Sequence, residues 1–153
     1  METKTNQETT ISVVNFKGEK WVRVQALGED FVIAPRDLDN GKEFDYDGAM
    51  ARLKELNLDT FNRKQGCIIM AYADEIDAKL KEIGGDPMDE YCYVSKELWK
   101  PAGSVGVFNS NYSWIFNGDH RTLIAYVRYN SFFRSRPCSA YNVTEENRKK
   151  DGK

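Results

Sequence analysis

The sequence predicts an α+β fold: one domain in which two helices pack on antiparallel sheets. Three observations predict it. Helical periodicity is confined to the middle of the chain, strand-like runs precede and follow it, and an Asn-Gly turn joins two of the later runs into a hairpin. The 153 residues fit one domain with a single core. With 41% hydrophobic and 12% aromatic residues, that core can be filled, which excludes a disordered chain.

The elements follow in order. Residues 1–10, METKTNQETT, are polar and read as a flexible arm without the apolar stretch of a signal peptide. TISVVNFKGEKWVRVQAL reads as two strands around a turn at Lys17-Gly18-Glu19-Lys20, because Ile11, Val13 and Trp21 suit a pleated surface. FVIAP is a third short strand stopped by Pro35, and RDLDNGKEF is a loop with an Asn-Gly turn. FDYDGAMARLKELNL predicts the first helix, capped by Asp45 or Asp47, with Ala49, Leu53 and Leu56 as its apolar stripe. GCIIMAY reads as a buried strand or extended run. ADEIDAKLKEIGG predicts the second helix, with a stripe of Ile76, Leu80 and Ile83 and a stop at Gly84-Gly85.

Beyond Asp86 the pattern returns to strands. EYCYVS, SVGVFN, NYSWIF, HRTLIAYVRY and RPCSAY are short strands, KELWKPAG is a loop, and Asn117-Gly118-Asp119 is the hairpin turn. The domain is expected to end at 141, with 142–153 a charged tail.

Charge and cysteines exclude several classes of function. The net charge of −2 gives no general drive toward nucleic acid or an anionic membrane, and no apolar run has the length of a membrane span. Charge is nonetheless uneven. Residues 1–100 carry 14 basic against 20 acidic side chains. Residues 101–141 carry Arg121, Arg128, Arg134 and Arg136 against Asp119 alone. The three cysteines, Cys67, Cys92 and Cys138, form no CxxC pair and the only histidine is His120, so no Cys/His metal site and no cofactor are expected. They read as three small buried or half-buried thiols; if one disulfide forms, Cys67 with Cys92 is the expected pair. No nucleophile elbow and no phosphate-binding loop is present, and acid groups such as Asp74, Glu75 and Asp77 read as a helix start. The chain is not expected to be an enzyme.

The aromatic-rich stretch FNSNYSWIFNGDHRTLIAYVRYN, which is also the basic part, is the candidate site. Alternation puts Tyr112, Trp114 and Phe116 on one face of their strand, and Leu123 opposite in parity to Ile124, Tyr126 and Arg128 in the next. One face must cover the core, so Trp114 and Phe116 read first as core residues. The surrounding asparagines, tyrosines and arginines are the types that recognition loops favour, offering large contact area with adaptable hydrogen bonding. The expected contact residues are Asn109, Asn111, Tyr112, Trp114, Asn117, Tyr126, Arg128, Tyr129, Asn130 and Arg134.

Four segments resemble C-type-lectin-like domains of the sulfatase-modifying and bacterial major paralogous types. FDYDGAMARLKEL is similar to the family's first helix, and CIIMAYADEIDAKL to its apolar run followed by a helix opening with an acid. YCYVSKEL is similar to its YW-S-S-x-E strand, and RSRPCSAY (Arg134 to Tyr141) to its closing R-x-R-P-V-x-A-F strand. Together they cover roughly residues 20–141. The chain departs from the family where Cys67-Ile68-Ile69-Met70 replaces Trp-Arg-Leu-Pro and Cys92 replaces the Trp of the YW strand. The resemblance implies a single C-type-lectin-like domain in which terminal strands pair, two helices flank them, and a second sheet carries binding loops. The family's calcium motifs are absent, and the cysteine pair of formylglycine-generating enzymes is not matched around Cys138.

The expected function is therefore a non-catalytic binding module for a glycan or protein on a cell surface. The superfamily's receptor-binding proteins of bacteriophages make a virion component the implied setting, with a cytoplasmic or virion-associated location. The alternative is a structural or assembly protein, a capsid decoration or fibre subunit, that uses the same surface as a subunit interface and forms a homo-oligomer. Single-stranded nucleic acid is not an expected partner, because the chain as a whole is acidic.

Overall fold

The computed structural model describes residues 9–88, 92–98, 112–117, 122–128 and 133–141. It is α+β, with three helices and two antiparallel sheets among these residues. The first sheet has strand order β1-β2-β3-β7, formed by β1 (Thr10–Phe16), β2 (Glu19–Ala26), β3 (Glu29–Ile33) and β7 (Cys138–Ala140). The second is β4 (Cys92–Leu98), β5 (Tyr112–Asn117) and β6 (Thr122–Arg128), in that order. The last strand pairs with β3, leaving β1 at the far edge, so the first and last strands do not pair as the family resemblance implied.

The hairpin β1–β2 forms where expected but turns on Lys17-Gly18 alone, because Glu19 and Lys20 of the expected turn already pair with Phe16 and Asn15; β2–β3 turns at Leu27-Gly28. Both central residues of each turn have positive φ, the two-residue form whose twist matches the flanking strands. On one face of this sheet Val22, Val24, Phe31 and Ile33 are buried against α2 (Arg63–Ala71), α3 (Ala73–Glu82) and Tyr93. On the other, Phe16, Trp21, Val32 and Ala34 form a smaller cluster with Leu58 and Tyr141, and the Phe16 and Trp21 rings meet edge-on at 4.8 Å.

Where the sequence reads a buried strand or extended run at GCIIMAY, the structure has a helix, α2. Its start is a capping box. Asn62 Oδ1 accepts from the Gln65 amide at 2.8 Å, and Gln65 Oε1 accepts from the Asn62 amide at 3.0 Å. Burial at Gln65, Gly66, Ile68 and Ile69, with Cys67 exposed, follows helical rather than alternating order. α2 runs through Tyr72 directly into α3, so the expected second helix is the third.

α1 (Tyr46–Glu55) is capped by Asp45, whose side chain accepts from the Gly48 amide at 2.8 Å. It ends in a Schellman turn: the Leu58 amide donates to the Leu53 carbonyl and the Asn57 amide to that of Lys54. Asn57, at φ 59°, throws the chain off the helical course. Leu56 therefore lies 41% exposed, and Leu58 takes the packing place predicted for it. α3 ends in the same device at Gly84, as its Gly-Gly stop implied. No helix among the described residues is long and apolar enough to cross a membrane.

Candidate functional site

The β5–β6 pair lies where the Asn-Gly hairpin was expected, with Asn117 opposite Thr122 at the turn end. Of the predicted contact residues, Tyr112, Trp114 and Asn117 fall in β5 and Tyr126 and Arg128 in β6. Asn109, Asn111, Tyr129 and Asn130 lie outside the described residues, as does the predicted strand SVGVFN. Strict alternation does not survive in β6. Phe116 pairs with Leu123 and Ile115 with Ile124, but Ser113 pairs with Val127, so Ala125 and Tyr126 stand against the single residue Trp114. This bulge makes Arg128 the register partner of Tyr112. The β4–β5 ladder shifts at the same place, between Val94–Ile115 and Leu98–Ser113. Trp114 is thus where both ladders of its strand lose register.

Arg134 belongs to a different constellation. The segment 133–138 threads between the sheets. The Ala34 amide donates to the Pro137 carbonyl, the Val94 amide to that of Arg134, and Thr60 Oγ1 to that of Arg136 at 2.7 Å. These bonds place two guanidinium groups on one carboxylate. Arg134 Nη1 donates to Asp37 Oδ2 at 2.9 Å, and Arg136 Nε to Oδ1 at 2.8 Å. Arg136 is fully buried; it also donates to the Ala34 carbonyl at 3.1 Å and lies 5.6 Å from the Tyr93 ring centroid. A charge that far from water persists only when paired and hydrogen-bonded, which Asp37 provides. Burial pushes the Tyr93 phenol well above its ordinary value, and pushes the neighbouring Cys138 thiol up to about 12.

Close approach to this cluster constrains the loop before α1. A Cβ on Gly41, at φ +91°, would lie 2.7 Å from Arg134 Nη1. Asp39 and Asn40, just before it, are also left-handed. The Asp39 carboxylate bonds Arg52 through both oxygens, at 2.8 and 3.1 Å, and that hydrogen bonding holds its pKa below the usual range. Beside the loop is a cleft of about 270 Å³, walled by Trp21, Pro35, Leu58 and Pro137, with Asp37 and Asp39 at its margin. Lys17, Glu19 and Arg36 also line it, and since Asp37 and Asp39 are each paired with arginines they do not form an acid pair fit for proton transfer.

None of the three cysteines is in a disulfide, with Cys67 exposed, Cys92 half-buried and Cys138 buried, so the Cys67–Cys92 pair does not form. The capping box Asn62-x-x-Gln65 and the Asp37 partner of the two arginines went unread in the sequence. The first carried a legible signal, a capping residue three positions before Gln; the second carried none, since 97 residues separate Asp37 from Arg134. The chain matches no protein-family model, no curated protein sequence and no solved structure.

Proposed function

We propose that this chain is a non-catalytic binding module that recognises a glycan or a protein on a cell surface through the open end of the β5–β6 hairpin. The observation that carries this reading is the backbone at Trp114. Both ladders shift register there, and the shift sets Tyr112 opposite Arg128 in the middle of the aromatic, basic stretch. Bulges of this kind gather beside functional sites, where they re-aim side chains. A tyrosine beside an arginine offers a flat face and a planar donor fork, the combination that sugars and protein loops both accept. The C-type-lectin-like resemblance supports the same reading and, by analogy with phage receptor-binding proteins, a virion setting. Arg134 enters as a positioning residue, since its guanidinium rests on Asp37.

The test is binding of the labelled chain to a glycan array and to intact bacterial cells, alongside Tyr112→Ala and Arg128→Ala. Saturable binding that either variant weakens tenfold or more, with an unchanged melting temperature, is the expected result. Binding that both variants retain, or none to any glycan or cell, would reject it. The second reading, a structural or assembly subunit, draws on another observation: β1, an outer strand of the first sheet with no second strand partner among the described residues.

A further inference from the structure

β1 is an outer strand of its sheet, and it is not built like a protected one. Edge strands of monomeric proteins are normally short, bulged, or interrupted by proline or lysine. β1 has seven residues, Thr10-Ile11-Ser12-Val13-Val14-Asn15-Phe16, with no charge and no proline, in unbroken register with β2. The two-residue turn makes Phe16–Glu19 the hydrogen-bonded closing pair. Bonded pairs alternate along an antiparallel ladder, so Phe16, Val14, Ser12 and Thr10 bond inward to β2. Ile11, Val13 and Asn15 therefore turn their backbone N–H and C=O groups outward, and no described residue pairs with them.

We infer that β1 is a self-association edge, which pairs antiparallel with β1 of a second copy about a twofold axis at Val13. In that register Val13 faces its own copy and Ile11 faces Asn15. Each outward donor meets an outward acceptor, and the two four-stranded sheets join into one. Ser12 faces Val14 and Thr10 faces Phe16, so no charged side chain of either strand meets another.

Charge on the covering helix favours the same partner. α3 packs on β1 and β2, and a twofold normal to the sheet sets the two copies of α3 antiparallel on one face. Its first turn carries Asp74 and Glu75, and its last turn Lys79 and Lys81. An antiparallel pair therefore brings the acidic end of each helix toward the basic end of the other. This is an interface apart from the β5–β6 hairpin, so it stands or falls independently of the ligand-binding proposal.

The experiment is sedimentation velocity over a concentration series on the full chain, Val13→Pro and Asn15→Lys, each checked for fold by circular dichroism. Proline at 13 removes an outward donor and leaves the β1–β2 ladder intact; Asn15 is exposed, so lysine there costs the monomer little. The expected result is a dimer of the 17.6 kDa chain whose dissociation constant both folded variants raise tenfold or more. Hydrogen exchange should then show the Ile11, Val13 and Asn15 amides protected only at dimer-forming concentrations. A chain that stays monomeric, a dimer indifferent to Asn15→Lys, or amides equally protected in the monomer would each overturn the inference.

Discussion

Asp37 shows how much one side chain can hold in this protein. It sits 8% exposed and bonds both Arg134 and Arg136, so Asp37→Ala strands a fully buried guanidinium without its counter-charge. Breaking a buried pair from one side costs about 3–5 kcal/mol, and urea denaturation of the variant should show a loss of that size. Cys138 makes a second residue-scale prediction. Its ordinary value is 9.0 and burial pushes it up to about 12, so the unfolded chain loses that proton at lower pH than the folded one. The stability this thiol contributes is fully present below pH 9.0 and is lost as pH rises toward 12, at roughly 1.4 kcal/mol per unit. Denaturation midpoints measured across that window should fall. They should fall less steeply in Cys138→Ala; the raised Tyr93 phenol, which acts in the same direction, keeps some slope. At neutral pH a thiol reagent should label exposed Cys67 in the native protein and reach Cys138 only on unfolding. The two arginines were visible in the sequence as a motif, but their role was not, because it depends on an acid brought from the far side of the chain.

At the scale of elements, local chemistry explains both what could be read and what could not. The β1–β2 hairpin, α1 and α3 were legible because each carries its own period and its own boundary residue: the turn at Lys17-Gly18, the N-cap Asp45 and the stop at Gly84. α2 was not, since a short apolar run such as Cys67-Ile68-Ile69-Met70 suits a buried strand as well as a buried helix. The capping box at Asn62 decides the matter locally, by satisfying two of the amides that a helix start leaves open. Asn62→Ala should therefore destabilise the protein by about 1 kcal/mol, measured as a shift in the denaturation midpoint. The hairpin β5–β6 was legible as a pair from Asn117-Gly118. Its bulge was not, because Leu123-Ile124-Ala125-Tyr126-Val127 is apolar at both parities, so a one-residue shift inverts no visible alternation.

At the scale of the whole molecule, stability depends on the crossings between segments far apart in sequence. The end of α3 meets the end of β3 where the Asp86 amide donates to the Pro35 carbonyl at 2.8 Å. Gly85 stands so close that an added Cβ would lie 2.5 Å from that carbonyl oxygen. Gly85→Ala should push these backbones apart at a cost of about 1–3 kcal/mol, seen as a lower melting temperature. By itself the sequence determined the α+β class, the β1–β2 and β5–β6 hairpins, and two of the helices with the N-cap of α1 and the glycine stop of α3, since all of these rest on residues within one or two turns of each other. Only the tertiary structure decided that β7 joins β3 rather than β1, that Asp37 answers Arg134 and Arg136, that Trp114 marks a double register shift, and that β1 has no second strand partner among the described residues. Each of these depends on which distant backbone or charge arrives alongside, and that is settled by burying apolar faces and pairing polar groups over the whole chain at once.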